Sequence, residues 1–155
     1  MKKAHKLAIQ YTLIALLLIG GGWLLWRYIA SLPEIKAEDI ISRSGLHWHP
    51  ELVISIRGER RTIPADIGLG AVHEPTHTHA EDGVVHLEYA GLVLRENTRL
   101  GEFFRIWGKT FTKDCVFEYC NGPEGRVTMT VNGIPNEEYG DYEMKDGDKV
   151  EIRYE

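Results

Sequence analysis

An almost wholly apolar stretch at 7–29 limits what the start of this chain can fold into. As a helix it is long enough to cross a hydrocarbon core of about 30 Å. Its far end, W-L-L-W-R-Y at 23–28, holds aromatic and basic residues, which settle at the headgroup level of a bilayer. We therefore predict that residues 1–30 form a single transmembrane helix.

The charges before this stretch predict its orientation. Lys2, Lys3 and Lys6 lie on the short N-terminal side, and basic residues favour the cytoplasmic side of a membrane. The alternative is a cleavable secretory signal. The run exceeds the apolar core of such a signal, about 7 to 15 residues, and Arg27 and Tyr28 interrupt a small-x-small cleavage site. Either interpretation places the rest of the chain outside the cytoplasm. We favour a retained anchor, which makes that part the extracytoplasmic domain of a single-pass cell-membrane protein.

The remainder is expected to be a polar linker at 31–44 and one domain at 45–155, a length that supports a single modest core. From Ile41 onward there are 13 Lys and Arg against 20 Asp and Glu, a net charge of −7. Such an acidic domain is a poor partner for nucleic acid and attracts cations.

Alternating apolar residues predict strands with one buried face. The clearest segments are 51–57, 126–132 and 148–154, and 84–89 and 92–94 also have strand character. In 84–89 the alternation turns Val85 and Leu87 toward the core and His86 and Glu88 away from it. Gly58 follows the first segment and predicts a hairpin.

One helix is predicted after these strands, in T-R-L-G-E-F-F-R-I-W-G at 98–108. Thr98 is a candidate N-cap, and Gly108 is expected to end the helix. Leu100, Phe103 and Trp107 contribute to its apolar stripe. The order of elements predicts an α+β fold, in which one helix packs on a β-grasp-like mixed sheet.

Six of the seven histidines fall between positions 47 and 86, although histidine is an uncommon residue. Imidazole is the commonest protein ligand for zinc and copper. Two His-x-His pairs, His47/His49 and His77/His79, would each present both rings on one face of an extended segment. The clustering therefore predicts a metal site.

We expect His77, His79 and His86 to be the main ligands, and His47 and His49 come next, with one of them completing the shell. Whether the two His-x-His pairs meet in one site or form two depends on strand order. His73, Glu74 and Glu88 are candidates for a supporting role, as hydrogen-bond acceptors that orient an imidazole or as further ligands. The alternative is a polar surface loop with no ion. His5 precedes the membrane span and is not expected to take part.

The expected ion is copper or zinc. All-imidazole sites suit Zn(II) and Cu(II), whereas Cu(I) prefers thiolate and thioether ligands. The chain has only three methionines, one of them the initiator. Copper is slightly favoured, because it tops the affinity order and oxidised copper is handled outside the cytoplasm.

Cys115 and Cys120 are the only cysteines. In an oxidising compartment such a pair predicts a disulfide that closes a short loop. Metal ligation and a redox pair are the alternatives. The four intervening residues do not match the Cys-x-x-Cys motif of thiol oxidoreductases.

Several blocks together resemble a group of small membrane-anchored microbial proteins: W-H-P at 48–50, I-P-A-D-I-G at 63–68, H-T-H at 77–79, D-G-V-V-H-L-E at 82–88, L-G-E-F-F-R-I-W-G at 100–108 and V-N-G at 131–133. This resemblance covers most of the chain beyond the anchor and implies no particular activity. Separately, 127–133 and 146–154 resemble the last strands of β-grasp modules such as sulfur carriers and the transcobalamin-type domain. Sulfur carriers end in Gly-Gly, whereas this sequence ends in Tyr154-Glu155, so the resemblance implies the fold alone.

Three classes of function are compatible with these features. The first is a membrane-anchored protein that captures or delivers copper or zinc. The second is a metalloenzyme with a base such as Glu74, Glu81 or Glu88, although H-E-x-x-H and G-x-S-x-G motifs are absent. The third is an accessory subunit of a membrane complex, in which the histidines meet a membrane-protein partner. We favour the first.

Overall fold

The computed structural model describes residues 2–155, except for the side chains of 2–4, 8 and 9. The chain divides into two compact units, with the division between Lys36 and Ala37.

The first unit is dominated by helix α1, Lys2–Ala30. Its segment His5–Ala30 is long and apolar enough to cross a membrane. Large apolar side chains are exposed along it, including Leu17 at 75% and Ile19 at 70%. A helix that is apolar all round is not stable in water and needs an apolar environment. At its far end the Arg27 guanidinium lies over the Trp23 ring, 5.4 Å from the centroid.

The second unit is rich in β-structure. Its strands are β1 Ile40–Ser42, β2 Leu46–Trp48, β3 Glu51–Ile56, β4 Glu59–Arg61, β5 Thr76–His77, β6 His86–Tyr89, β7 Val93–Leu94, β8 Cys115–Val116, β9 Tyr119–Cys120, β10 Val127–Val131, β11 Ile134–Pro135 and β12 Lys149–Tyr154. Helix α2 spans Leu100–Trp107, and short 3₁₀ turns cover Ala37–Asp39, Arg95–Thr98 and Tyr139–Asp141.

The largest sheet has five strands in the order β11-β10-β12-β3-β4. Its central pair, β12 and β3, is parallel, with Ile152 opposite Ile54. The other three pairs are antiparallel. At the β3–β4 hairpin Gly58 has φ +81°, a left-handed conformation that glycine adopts without strain. The predicted hairpin is therefore confirmed.

Helix α2 contributes three buried side chains, Leu100, Phe103 and Phe104, to the same hydrophobic core as the five-stranded sheet. Gly108 ends the helix at φ 70°, as predicted. Thr98 does not cap it. Arg99 is the N-cap, because Thr98 is buried in the preceding 3₁₀ turn, where its hydroxyl donates to the Arg95 carbonyl oxygen at 3.1 Å.

A second, three-stranded sheet has the order β2-β6-β5 and is antiparallel throughout. Its inward residues Val85 and Leu87 are fully buried in the common core. Strand β1, within the segment we expected to be a linker, pairs with β7. A helix followed by a β-rich unit with a mixed sheet and one packed helix confirms the predicted α+β class. Its assignment as a β-grasp stays a prediction.

A disulfide joins Cys115 and Cys120, as predicted. The two residues face each other across the β8–β9 hairpin. Both thiols are consumed, so neither cysteine is available as a thiolate ligand.

Candidate metal centre

Alternation along the three strands of the small sheet separates core residues from histidines. In β5 and the residues that follow it, Thr76 and Thr78 are fully buried. Neighbouring side chains in an extended segment point to opposite faces, so His77 and His79 share the other face. In β6 and the residue before it, Val85 and Leu87 are buried, so His86 and Glu88 point to the same face as His77 and His79. This confirms the predicted orientation of the β6 side chains.

The strand register places these side chains opposite one another. His47 of β2 faces Glu88 of β6, and His77 of β5 faces His86. Directly opposed side chains in an antiparallel pair have Cβ atoms about 4.5–5.5 Å apart. Continuing the β2–β6 register by one residue beyond Trp48 brings His49 opposite His86. Strand β6 therefore lies between the two His-x-His pairs.

The result is a six-residue cluster on one face of the small sheet. Its members are His47, His49, His77, His79, His86 and Glu88. His86 is at the centre, since its ring centroid lies 4.9 Å from that of His49, 4.6 Å from that of His79 and 5.6 Å from that of His77. The five histidines expected to be ligands are thus brought together from three strands.

The spacing of donor atoms suits a shared cation. Nitrogens that are each about 2.0–2.1 Å from a tetrahedral zinc ion lie about 3.3 Å apart. His77 Nε2 and His79 Nε2 are 3.2 Å apart, and His47 Nε2 and His49 Nε2 are 3.1 Å apart. Each His-x-His pair therefore already has the separation of two ligands on one ion.

A backbone contact assigns the tautomer of His77. Its Nδ1 lies 3.0 Å from the Glu74 carbonyl oxygen, which can only accept a hydrogen bond. His77 Nδ1 therefore carries the hydrogen and donates. In the neutral ring the lone pair is then on Nε2, the atom that faces His79. This arrangement orients an imidazole for metal binding.

His86 carries a buried nitrogen that lacks a partner. Its Nδ1 makes no hydrogen bond within residues 2–155, and Glu88 Oε1, at 3.5 Å, is too far for a good one. Burial first, and then the neighbouring imidazoles, lower the pKa of His86. The ring is therefore neutral at pH 7. A buried polar atom without a partner is unfavourable, and a cation at this position would supply one.

Glu88 is the carboxylate of the cluster. Its Oε1 lies 3.0 Å from His47 Nε2 and 3.5 Å from His86 Nδ1. Burial raises the pKa of Glu88, but the surrounding histidines, with His47 the strongest, outweigh it and lower the pKa overall. The carboxylate is therefore ionised at neutral pH and can bind a cation.

The cluster contains two overlapping sets of four possible ligands. The inner group is His77, His79, His86 and Glu88, and the outer group is His47, His49, His86 and Glu88. In each group the donor atoms all lie within 4.8 Å of one another. The groups differ in burial at one position, since His77 of the inner group is buried and His47 of the outer group is exposed, while His79 and Glu88 are exposed as well. The names of the groups refer to this difference.

Hydrogen bonds on the buried face hold the strands that carry the inner group. The Tyr89 hydroxyl lies 2.8 Å from Thr76 Oγ1 and donates to the Asn97 carbonyl oxygen at 2.9 Å. The Thr78 hydroxyl donates to the Pro64 carbonyl oxygen at 2.8 Å and accepts from the Ile67 backbone N–H at 3.1 Å. These contacts keep the histidine-bearing segment in register.

Sequence reasoning missed Asp146. Its Oδ1 accepts from the His49 backbone N–H at 2.8 Å and lies 3.7 Å from His49 Nδ1. The carboxylate thus holds the end of β2 and lies beside the His49 ring. Asp146 belongs to a turn that lies 97 residues after His49 in the chain. Its only sequence signal was the polar segment K-D-G-D, which is typical of any tight turn.

The supporting residues suggested by the sequence have different places. Glu74 contacts the cluster through its backbone carbonyl oxygen, as described, and Glu88 lies within both groups. His73 is exposed and belongs to neither group. Glu81 and Asp82 are exposed, and Asp82 Oδ1 accepts from the Val84 N–H in a local turn.

Comparison with known proteins provides no relative from which a role could be transferred. The chain matches no protein-family model, no curated protein and no solved structure. The site has to be interpreted from its own geometry.

Proposed function

We propose that this protein is a membrane-anchored, extracytoplasmic metal-binding protein that captures or delivers copper or zinc at the cell surface. The observation that carries the proposal is the buried, unpartnered His86 Nδ1 at the centre of four other imidazoles and one carboxylate. Without an ion, this packing leaves the buried His86 Nδ1 unsatisfied. A bound cation would supply its missing partner.

The available donors favour Cu(II) or Zn(II) over Cu(I). Imidazole and carboxylate suit the first two ions, whereas Cu(I) prefers thioether and thiolate. Met129 and Met144 are buried in the core, and both cysteines are in the disulfide. The described side chains therefore supply no soft ligand to the cluster. We propose copper as the first candidate ion and zinc as the second.

Binding and transfer are a better match to this site than catalysis. The inner group alone provides four protein ligands, enough to fill a tetrahedral shell, whereas catalytic zinc usually keeps a position open for water or substrate. The outer ligands are also accessible, since the Glu88 side chain is 40% exposed and that of His49 is 42% exposed. An ion could therefore enter and leave without unfolding of the domain.

The proposed location rests on three features. Helix α1 is apolar enough to span a membrane, the sequence has lysines at its N-terminal end, and the second unit contains a disulfide. Disulfides persist in oxidising compartments, and lysines favour the cytoplasmic side. Together they support a single-pass anchor with the metal-binding unit outside the cytoplasm. A net negative charge on that unit would attract cations.

Metal binding can be tested on the full chain, purified in detergent without a polyhistidine tag. After chelation and dialysis, the protein should take up copper or zinc, as measured by elemental analysis and by titration against a competing chelator. We expect His79→Ala to lower the metal affinity by about 100-fold or more, because it removes a proposed ligand and not only a residue that supports one. His73→Ala is the matched control and should bind like the unmodified protein. A wild-type chain that takes up neither ion would refute the proposal.

The location can be tested separately in cells. Protease added to spheroplasts should digest the second unit while a cytoplasmic marker protein stays intact, and a carbonate wash should leave the chain in the membrane fraction. The mass of the purified N-terminus distinguishes a retained anchor from a cleaved signal. Protection of the second unit from protease would contradict an extracytoplasmic location.

A further inference from the structure

We infer that the six-residue cluster is a two-metal centre, with one ion in the inner group, one in the outer group, and the Glu88 carboxylate shared between them. This inference rests on the proposed function, since it concerns the same cluster. It adds the number of ions, their different roles and a bridging ligand.

One ion cannot account for all six side chains. Zinc and Cu(II) sites with imidazole ligands usually take four donors, and ligands on opposite sides of one ion are separated by about twice the metal–nitrogen distance, or about 4.1 Å. The cluster offers six donors. Those of His47 and His49 fall in one compact group, and those of His77 and His79 fall in the other. A single ion in either group would leave one His-x-His pair without a metal.

Both pairs nevertheless have the geometry of ligands. The Nε2 atoms are 3.1 Å apart in His47/His49 and 3.2 Å apart in His77/His79, close to the spacing of two nitrogens on one ion. The pairs are also held by different parts of the chain. Asp146 positions the backbone at His49, whereas the Glu74 carbonyl oxygen orients the His77 ring.

Glu88 is placed to connect the two ions. It belongs to both groups and lies opposite His47 across the sheet, with Oε1 3.0 Å from His47 Nε2. A carboxylate has two oxygens and can give one to each ion. Paired metal ions in proteins are typically about 3.5–4 Å apart, a distance that one carboxylate spans.

His86 also lies between the groups, and its ring completes the shell of one ion. We assign it to the inner ion, which then has His77, His79, His86 and one Glu88 oxygen. The outer ion has His47, His49 and the other Glu88 oxygen, with a position open to solvent. Because His77 is the one buried ligand of the cluster and the outer ion keeps a position open to solvent, the outer ion should exchange more readily than the inner ion. A retained ion that organises Glu88 for an exchangeable one suits a protein that delivers metal.

Stoichiometry tests this inference on the full-length, metal-stripped protein in detergent, with Cu(II) and Zn(II) as separate probes. We expect two equivalents per chain in the wild type. Each of the double variants H47A/H49A and H77A/H79A should retain at most one equivalent, while His73→Ala should retain two. Circular dichroism of each metal-free variant establishes that it is folded before it is titrated.

The outcomes separate the two proposals. One equivalent in the wild type would overturn the two-metal centre and leave the proposed metal-binding function standing. No uptake would overturn both. Two equivalents that persist in a folded H47A/H49A variant would place the second ion outside the cluster and also overturn the inference.

Electron paramagnetic resonance of the Cu(II)-loaded protein provides an independent readout. Two Cu(II) ions bridged by Glu88 should interact magnetically, which reduces or broadens the signal expected of isolated copper and can give a half-field transition. In Glu88→Gln that interaction should be lost, whereas in Glu81→Gln it should be unchanged. Two isolated Cu(II) signals that account for all the bound copper in the wild type would contradict a shared carboxylate.

Discussion

His77 Nδ1 lies 3.0 Å from the carbonyl oxygen of Glu74, three residues earlier in the chain. A backbone carbonyl accepts hydrogen bonds but cannot donate them, so this single contact decides which ring nitrogen of His77 carries the hydrogen. Nε2 is left with its lone pair toward the cluster. A local turn thereby orients the His77 ring in the way that the proposed metal site requires.

The first prediction follows from this contact. In the metal-free protein at pH 8, His77 should be the neutral Nδ1–H tautomer, and its Nε2 should have the nitrogen chemical shift of an unprotonated ring atom. Long-range ¹H–¹⁵N NMR correlation of the detergent-solubilised protein measures this directly. His73, which is exposed, is the internal comparison. Observation of the Nε2–H tautomer at His77 would contradict the assignment.

Gly68 supports the loop that carries the inner group. It has φ +79°, and a Cβ added there would lie 2.7 Å from the Thr76 carbonyl oxygen and 3.2 Å from His77 Cβ. Gly68→Ala should therefore lower the free energy of unfolding by about 1–3 kcal/mol and weaken metal binding, because the backbone next to His77 must move.

Gly58→Ala is the matched control for this prediction. Gly58 has φ +81°, but nothing lies within 4 Å of an added Cβ. The control should therefore lose stability from the backbone conformation alone and keep its metal affinity. Chemical denaturation and chelator competition measure the two quantities. Equal metal affinity in the two variants would show that the close packing of Gly68 against the Thr76 carbonyl oxygen does not position the site.

Tyr89 is predicted to position the inner group from the buried side of the sheet. Tyr89→Phe removes the hydroxyl that contacts Thr76 and the Asn97 carbonyl oxygen, so we expect a loss of about 1–3 kcal/mol in stability. Metal affinity should also fall by about 10-fold, which is typical when a residue that positions a ligand without touching the ion is changed.

The comparison variant is Tyr142→Phe, which removes another tyrosine hydroxyl with a hydrogen-bond partner in the core. That hydroxyl donates to Asp148 Oδ2 at 2.6 Å, and neither residue belongs to the cluster. This variant should be destabilised to a similar degree but bind metal normally. Unchanged metal affinity in Tyr89→Phe would restrict Tyr89 to a role in stability.

Tyr142 also predicts that the free energy of unfolding depends on pH. Burial, and then the hydrogen bond to Asp148, raise the pKa of Tyr142 well above its ordinary value of 10.0. The unfolded chain therefore loses this proton at a lower pH than the folded one does. The contribution to stability is complete below pH 10 and decreases as pH rises from there toward the folded pKa, by at most about 1.4 kcal/mol per pH unit. Denaturation series between pH 9 and 11 should show this decrease in the wild type, and a weaker one in Tyr142→Phe.

Bound metal should stabilise the folded chain. An ion that binds only the native state at 100 times its dissociation constant adds about 2.7 kcal/mol. Thermal unfolding followed by circular dichroism should therefore shift upward with Cu(II) or Zn(II), and a chelator should reverse the shift. The shift should be smaller in H77A/H79A. An equal shift in wild type and variant would indicate that the ion stabilises the protein from elsewhere.

Much of the fold was predictable because it depends on local patterns. The apolar stretch at 7–29, the alternation in 51–56 and 149–154, and Gly108 at the end of α2 each indicate one structure from neighbouring residues alone. Thr98 was assigned incorrectly as the helix cap, because its burial in a 3₁₀ turn depends on contacts that the local sequence does not reveal.

The sequence by itself determined which residues share a face: the i, i+2 spacing of His47/His49, His77/His79 and His86/Glu88 follows from the geometry of an extended backbone. Only the tertiary structure decided that these three pairs meet, because strand order and register depend on how distant segments pack around a common core. The central place of β6, the shared position of Glu88 and the contact of Asp146 with His49 all follow from that packing.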